Sequence, residues 1–238
     1  MRDTNADWEA IATTEPYYGV LANERFLRAN LNSGSKEEFF ASGRSDVEFV
    51  LKMAPGKKGS ALDFGCSVAR LSLALAPHFD EVTGVDVSET MLAEARANAR
   101  LRGADNVRFA DALPSGKSFD LVVSHIVFQH IPPQRGLAIL HDLLRCVGAG
   151  GRAAIQMTFY RRMARLQEMQ RDFALVSYDG AVCRPRIPVS ANEGGMSMYD
   201  YDATDVLATF FEGGFEGLSM SKTDHGGHIG AWIFASRA

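Results

Sequence analysis

Ala61-Leu62-Asp63-Phe64-Gly65-Cys66-Ser67-Val68-Ala69-Arg70-Leu71 is the stretch that decides the fold. A short apolar run ends in an acid, small residues follow, and a helix-compatible segment begins. This predicts a buried strand over Ala61–Phe64, a tight turn, and a helix over Ala69–Ala76. Downstream the alternation repeats. Val82–Val85 reads as a second strand, and Ser88 as the cap of a helix running to Leu101. Val107–Phe109 and Phe119–Val123 read as strands, Pro132–Val147 as a helix closed by Gly148, and Arg152–Thr158 as a fifth strand. Strands alternating with helices pair in parallel through right-handed crossovers. Phe159–Ser177 is expected to be helical, Tyr178–Ser197 a long loop, and Ala203–Phe211 a helix. Leu218–Lys222 and Ile229–Ala235, joined by Asp224-His225-Gly226-Gly227-His228, are too close for anything but an antiparallel hairpin. The expected fold is α/β: a doubly wound, mostly parallel sheet closed by an antiparallel hairpin.

Upstream lies a helical prelude. Ser35-Lys36-Glu37-Glu38 and Ser45-Asp46-Val47-Glu48 both fit a capping box, predicting short helices over Glu37–Ala41 and Asp46–Met53 with a break at Ser42-Gly43. Tyr17–Asn30 is also helix-compatible. The division expected is a helical N-terminal lid over 1–59 and a ligand-binding domain over 60–238, carrying an insertion at 159–197.

The 238 residues suit one large α/β domain, and 46% apolar residues supply its core. A net charge of −4 offers no broad basic footprint, so no nucleic-acid partner is expected. Cys66, Cys146 and Cys183 show no paired spacing for zinc or a disulfide framework. Met1–Ala10 has no apolar core of a secretory signal, and no apolar run reaches the ~18 residues of a membrane span. A cytoplasmic protein without membrane contact is expected.

In such sheets ligands sit beyond the carboxyl ends of the strands. Gly65 lets a ligand approach backbone, and the following helix start presents free N–H groups. Asp86 ends the second strand, where an acid can accept from both hydroxyls of a ribose. Asp111 follows the third, placed for an exocyclic adenine amine. Asp63, just before the first turn, would repel a pyrophosphate, and GxGxxG spacing and a Walker lysine are both missing. S-adenosylmethionine, with an ammonium and no phosphate, fits this electrostatic pattern better than NAD.

The residues quoted around Gly65 resemble the first motif of class I S-adenosylmethionine-dependent methyltransferases. Val85-Asp86-Val87-Ser88-Glu89-Thr90-Met91-Leu92 is similar to their acidic second motif. Phe119–Ser124 and Val127-Phe128-Gln129-His130-Ile131-Pro132 resemble their fourth-strand region, so the resemblance spans roughly residues 60–158. It implies a seven-stranded Rossmann-like sheet with an antiparallel last strand, and methyl transfer to an oxygen or nitrogen of a small molecule, a sugar or specialised-metabolite hydroxyl first. It also implies a cofactor held by Asp63, Gly65, Cys66, Ser67, Arg70, Asp86, Val87, Met91, Asp111, Ala112 and Ser124, with Phe40 and Gly43 of the prelude as lid. The chain departs from the family in placing Ser67 and Ala69 where glycine is usual. Ser67 then either holds a strained backbone and turns its hydroxyl to the cofactor, or marks a degenerate site.

His130 and His125, just past the fourth strand, are the candidate general bases, with fixing of that loop as the structural reading of His130. His225 and His228 face the same end of the sheet, but no metal site is expected of them. Arg161, Arg162, Arg165 and Arg171, read as one helical stretch, form a solvated face or meet an anionic acceptor. The rival functions are a non-catalytic S-adenosylmethionine-binding regulator and an NAD-dependent enzyme.

Overall fold

The small residues after β1 (Ser60–Phe64) do turn the chain back into a helix, α4 (Arg70–Leu75). The computed structural model describes residues 4–162, 164 and 196–238, and the backbone of 175–178 and 182–185. Crossovers then deliver β2 (Glu81–Val85), α5 (Glu89–Leu101), β3 (Val107–Ala110), β4 (Phe119–Ser124), α6 (Pro133–Arg145) and β5 (Val147–Arg161). The seven-stranded sheet has the order β3-β2-β1-β4-β5-β10-β9, where β9 is Phe215–His225 and β10 is His228–Arg237. β1 to β5 are mutually parallel, and β10 runs antiparallel to both β5 and β9. The order reverses between β1 and β4, and that switch point fixes where a ligand can enter.

Strand alternation sorts the core into two layers. Leu62 and Val122 pack with Leu140 and Leu143 of α6 and with Phe210 of α7 (Ala203–Glu212). Ala61, Leu121 and Val123 pack on the opposite face with Leu71 and Leu75 of α4 and Val47 and Val50 of α3 (Ser33–Met53). The prelude therefore divides. The second half of α3 belongs to the core of the sheet, whereas α1 (Thr4–Thr14) and α2 (Pro16–Val20) pack with Phe26, Phe39, Phe40 and Met91 in a third cluster.

Four expectations are corrected. α3 is one continuous helix across Ser42-Gly43, and its cap is Asn32, whose side chain and Ser35 form the reciprocal box. Gly43 is not a break: α3 crosses α4 there, and a Cβ at Gly43 would lie 2.4 Å from the Arg70 carbonyl oxygen. Of Tyr17–Asn30, only Tyr17–Val20 is α-helical, followed by a 3₁₀ turn at Glu24–Phe26. β5 extends through Arg161, so Phe159–Arg161 is strand, and Arg161 lies on no helix. Leu175–Tyr178 (β6) and Val182–Pro185 (β7), within the stretches read as helix and loop, join Met198–Tyr199 (β8) just beyond them in a small antiparallel sheet. Arg165 and Arg171 lie outside the described residues.

Candidate active site

The β1–α4 turn takes its shape from positive backbone angles at Gly65 (φ 76°), Ser67 (φ 47°) and Ala69 (φ 73°). Only Gly65 is forced to be glycine by its surroundings: a Cβ there would meet Val127 Cγ2 at 2.3 Å. Ser67 and Ala69 occupy the left-handed region against a cost of about 1–2 kcal/mol each. Asp86 supports this turn. Its Oδ2 accepts from the Ser67 N–H at 2.9 Å and its Oδ1 from the Ser88 N–H at 3.0 Å. Burial raises the Asp86 pKa, and these backbone donors act against that rise. The Ser67 hydroxyl donates to Met91 Sδ at 3.1 Å.

A cleft opens above this turn at the carboxyl ends of the strands. It gathers Gly65, Ser67, Arg70, Asp86, Val87, Asp111, Ala112, His125 and His130 from the residues expected at the site. The others lie elsewhere. Asp63 sits beneath the turn and accepts from Ser72 Oγ at 2.6 Å, so it anchors the start of α4. Burial pushes its carboxyl up to about 6 against the pull of Ser72 and Arg70. Cys66 and Met91 are buried in packing. Ser124 donates to the Phe64 carbonyl, tying β4 to β1. Phe40 packs under the Arg102 guanidinium, 3.9 Å from its ring centre, and lines a separate groove. Neither Phe40 nor Gly43 lines this cleft; Thr4, Asn5 and Trp8 of α1 do, together with Gly19 and Val20. Glu9 fastens that helix by accepting from Ser88 Oγ at 2.6 Å and from the Thr90 hydroxyl. Reading the sequence missed α1 because Asp7-Trp8-Glu9 has too little amphipathic pattern. The lone Trp in a polar stretch was its one available signal.

His130 is buried, only 6% exposed at the cleft wall. The Gln129 amide lies 3.1 Å from its Nε2, Nδ1 lies 3.2 Å from the Ser197 carbonyl, and Trp8 meets the ring edge-on. Thr158 Oγ1 in turn donates to Gln129 Oε1, so the amide nitrogen faces the ring. The neutral ring thus accepts at Nε2 and donates at Nδ1, which fixes the loop after β4 and engages both nitrogens. Burial lowers its pKa to about 4; the Ser197 carbonyl opposes this and His228 adds to it. Between pH 6.5 and 4 the unfolded chain binds a proton that the fold refuses. The stability is intact above 6.5 and falls as the pH drops to 4, by up to roughly 3 kcal/mol. His130→Gln should flatten this acid limb in urea melts at pH 7 and 4.5; parallel losses in both proteins would contradict the assignment.

His125 stacks on Trp232 with centroids 4.6 Å apart, and His225 approaches it edge-on at 5.5 Å. Its Nδ1 lies 3.1 Å from Arg70 Nη2 and 3.3 Å from Asp46 Oδ2. Arg70, its side chain only 4% exposed, pairs with Asp46 at 2.6 Å. Burial raises the Asp46 carboxyl, but His125 and Arg70 outweigh it and bring the pKa down to about 2. Asp46, on α3, is a site residue the sequence reading did not single out. Among the described residues no three His, Cys, Asp or Glu side chains converge on a metal position, and no helix is long and apolar enough to cross a membrane.

The cleft suits a nucleoside carrying an amino-acid tail. The carboxylates of Asp86 and Asp111 offer acceptors in the cleft, and Arg70 lines it as well. Comparison with known proteins agrees with that chemistry. Residues 61–151 match the family described as Methyltransferase domain. Over 121 residues the chain is 30% identical to an uncharacterized methyltransferase, YcgJ, of Bacillus subtilis (strain 168), covering 48% of this chain and 47% of that protein. Over 58 residues it is 48% identical to a 23S rRNA (uracil(1939)-C(5))-methyltransferase of Marinomonas sp. (strain MWYL1), covering 24% of this chain and 13% of the other. The chain thus spans less than half the length of these curated relatives. Its fold is that of a magnesium protoporphyrin IX methyltransferase from Synechocystis PCC 6803, crystallised with SAH. The TM-score is 0.67 at 17% identity, over 99% of this chain and 100% of that one.

Proposed function

We propose, from the match of residues 61–151 to the methyltransferase-domain family, that this chain is an S-adenosylmethionine-dependent methyltransferase acting on an oxygen or nitrogen of a small molecule. The observation that carries the reading is the convergence of Asp86, Asp111, the Gly65 turn and Arg70 on one cleft. Asp86 and Asp111 would receive the ribose and the adenine amine, Gly65 and Ser67 would pass close beneath, and Arg70 would face the carboxylate of the methionine end. When bound, the cofactor supplies an activated methyl group on a sulfonium. What the chain contributes is alignment and exclusion of water. Trp8 and the rest of the α1 lid, with Ile126, Val127 and Ile131, line a largely apolar chamber. A hydroxyl acceptor also needs a base, and His130 can serve only once the Gln129 amide releases its Nε2.

A roofed, mostly apolar cleft in a chain of net charge −4 favours a small acceptor over RNA. The rRNA-modifying relative makes RNA the second reading. Calorimetry with S-adenosylmethionine, compared with NAD, tests the cofactor. Asp86→Asn should weaken S-adenosylmethionine by about 10- to 100-fold, the magnitude of charge-assisted hydrogen bonds lost to a ribose. Equal affinity in a folded variant would remove Asp86 from the site. Release of S-adenosylhomocysteine with sugar hydroxyls, phenols or amines is the expected turnover. Turnover on an rRNA fragment alone, with a salt-sensitive gel shift, would replace the small-molecule reading with the RNA one.

A further inference from the structure

The charges that line the cleft are answered unequally within the protein. Arg70 pairs with Asp46 at 2.6 Å, and Asp86 accepts from the Ser67 and Ser88 N–H groups. Arg135, in the first turn of α6, also lines the cleft. It is exposed and makes no ion pair among the described residues. Its Nη1 donates to Asn5 Oδ1 at 3.1 Å. That partner is neutral and engages one of the guanidinium's five N–H groups, so both charge and donors are left for a ligand.

The backbone that carries Arg135 is held in place. Gly136 beside it is buried, and a Cβ there would run into the Tyr201 hydroxyl. That hydroxyl donates to the Ile131 carbonyl at 2.7 Å, so Tyr201 clamps the loop after β4 to the start of α6. From Arg135 inward the lining is continuous. Asn5 and Trp8 share a face of α1 at i and i+3, and Trp8 meets His130 edge-on at 4.9 Å. Arg135, His130, Ile126 and Ile131 all follow β4, which lies across the switch point from β2 and β3, the strands whose acids would take the nucleoside.

We propose that Arg135 selects the methyl acceptor by charge: the acceptor is a small molecule whose apolar body lies along Trp8, Ile126 and Ile131 and whose anionic group pairs with Arg135. This rests on the methyltransferase reading above and narrows its acceptor to an acid. An anion entering a mostly apolar cleft gives up its hydration, and a guanidinium that can meet it with two parallel N–H bonds restores the loss. A neutral analogue gains no such bond, so the same arginine separates the two.

Paired probes test this. 4-Hydroxybenzoate, 4-hydroxyphenylacetate and 4-hydroxyphenylpropionate, each against its amide, are titrated into protein saturated with S-adenosylhomocysteine. At least one acid should bind ~10-fold or more tightly than its amide, as expected of hydrogen bonds between charged groups. Arg135→Met should bring that acid down to the affinity of its amide while S-adenosylhomocysteine stays within about twofold. Arg135→Lys should keep part of the preference, and Arg135→Glu should reverse it in favour of 4-hydroxybenzylamine. Unchanged S-adenosylhomocysteine binding also shows that each variant is folded. Equal affinity for acids and amides, no wild-type binding of either, or an acid preference that survives Arg135→Met would each overturn the assignment. So would a parallel fall in S-adenosylhomocysteine affinity, which would put Arg135 at the cofactor instead. All four results leave the methyltransferase reading standing. Failure of the wild-type protein to bind S-adenosylhomocysteine would instead remove that reading, and this inference with it.

Discussion

Gly65→Ala is expected to abolish measurable cofactor binding and to destabilise the fold by about 2–4 kcal/mol, the sum of an overpacked contact and a left-handed alanine. The two contributions are separable by comparison within the same turn. Ala69 shows that a left-handed alanine is tolerated here, with φ 73°. At Gly65 the added Cβ would also press into Val127, with three of its side-chain atoms at 2.3, 2.8 and 3.1 Å. Either Val127 and the loop after β4 move, or the turn does, and both line the cleft. Chemical denaturation and calorimetry on the same preparation check the result. Wild-type affinity for S-adenosylmethionine in Gly65→Ala would mean that the ligand does not touch this turn.

Arg161→Met should cost about 3–5 kcal/mol, because it leaves a carboxylate without its partner inside the protein. Arg161, at the end of β5, pairs with Asp200 at 2.6 Å and donates to the Met198 carbonyl at 2.7 Å. Both side chains are shielded, at 2% and 16% exposure. The pair fastens the β8 end of the small sheet to the large one. Its loss should appear as a lower urea midpoint, and a double variant with Asp200→Leu should recover part of the stability. A single variant as stable as wild type would show that the pair is dispensable.

The order of strands and helices was legible in the sequence because each βα unit writes its own signal. Apolar runs end at Asp63 and Asp86, Ser88 caps α5 by accepting from the Met91 N–H, and the glycine pair before His228 closes a hairpin. These are local interactions, and local composition reports them. The acids at the ends of β2 and β3 were legible for the same reason, since strand ends fix which residues reach the switch point.

Tertiary structure alone decided the rest. Gly43 looks like a helix break, yet α3 runs through it, because the close approach of Arg70 of α4, 27 residues on in the sequence, rewards a missing side chain there. Arg161 looks like part of a basic helix, but pairing with β10 carries β5 through it and Asp200 neutralises it. Asp63, Cys66, Met91 and Ser124 lie on the right segments and face inward: Asp63 accepts from Ser72, Cys66 is buried, Met91 packs in the third cluster, and Ser124 donates to the Phe64 carbonyl. Asp46 stands in the sequence only within an apparent capping box, and Trp8 in no motif at all. They enter the site because separate helices fold over the strand ends, and no local pattern records which distant residue a helix face will meet.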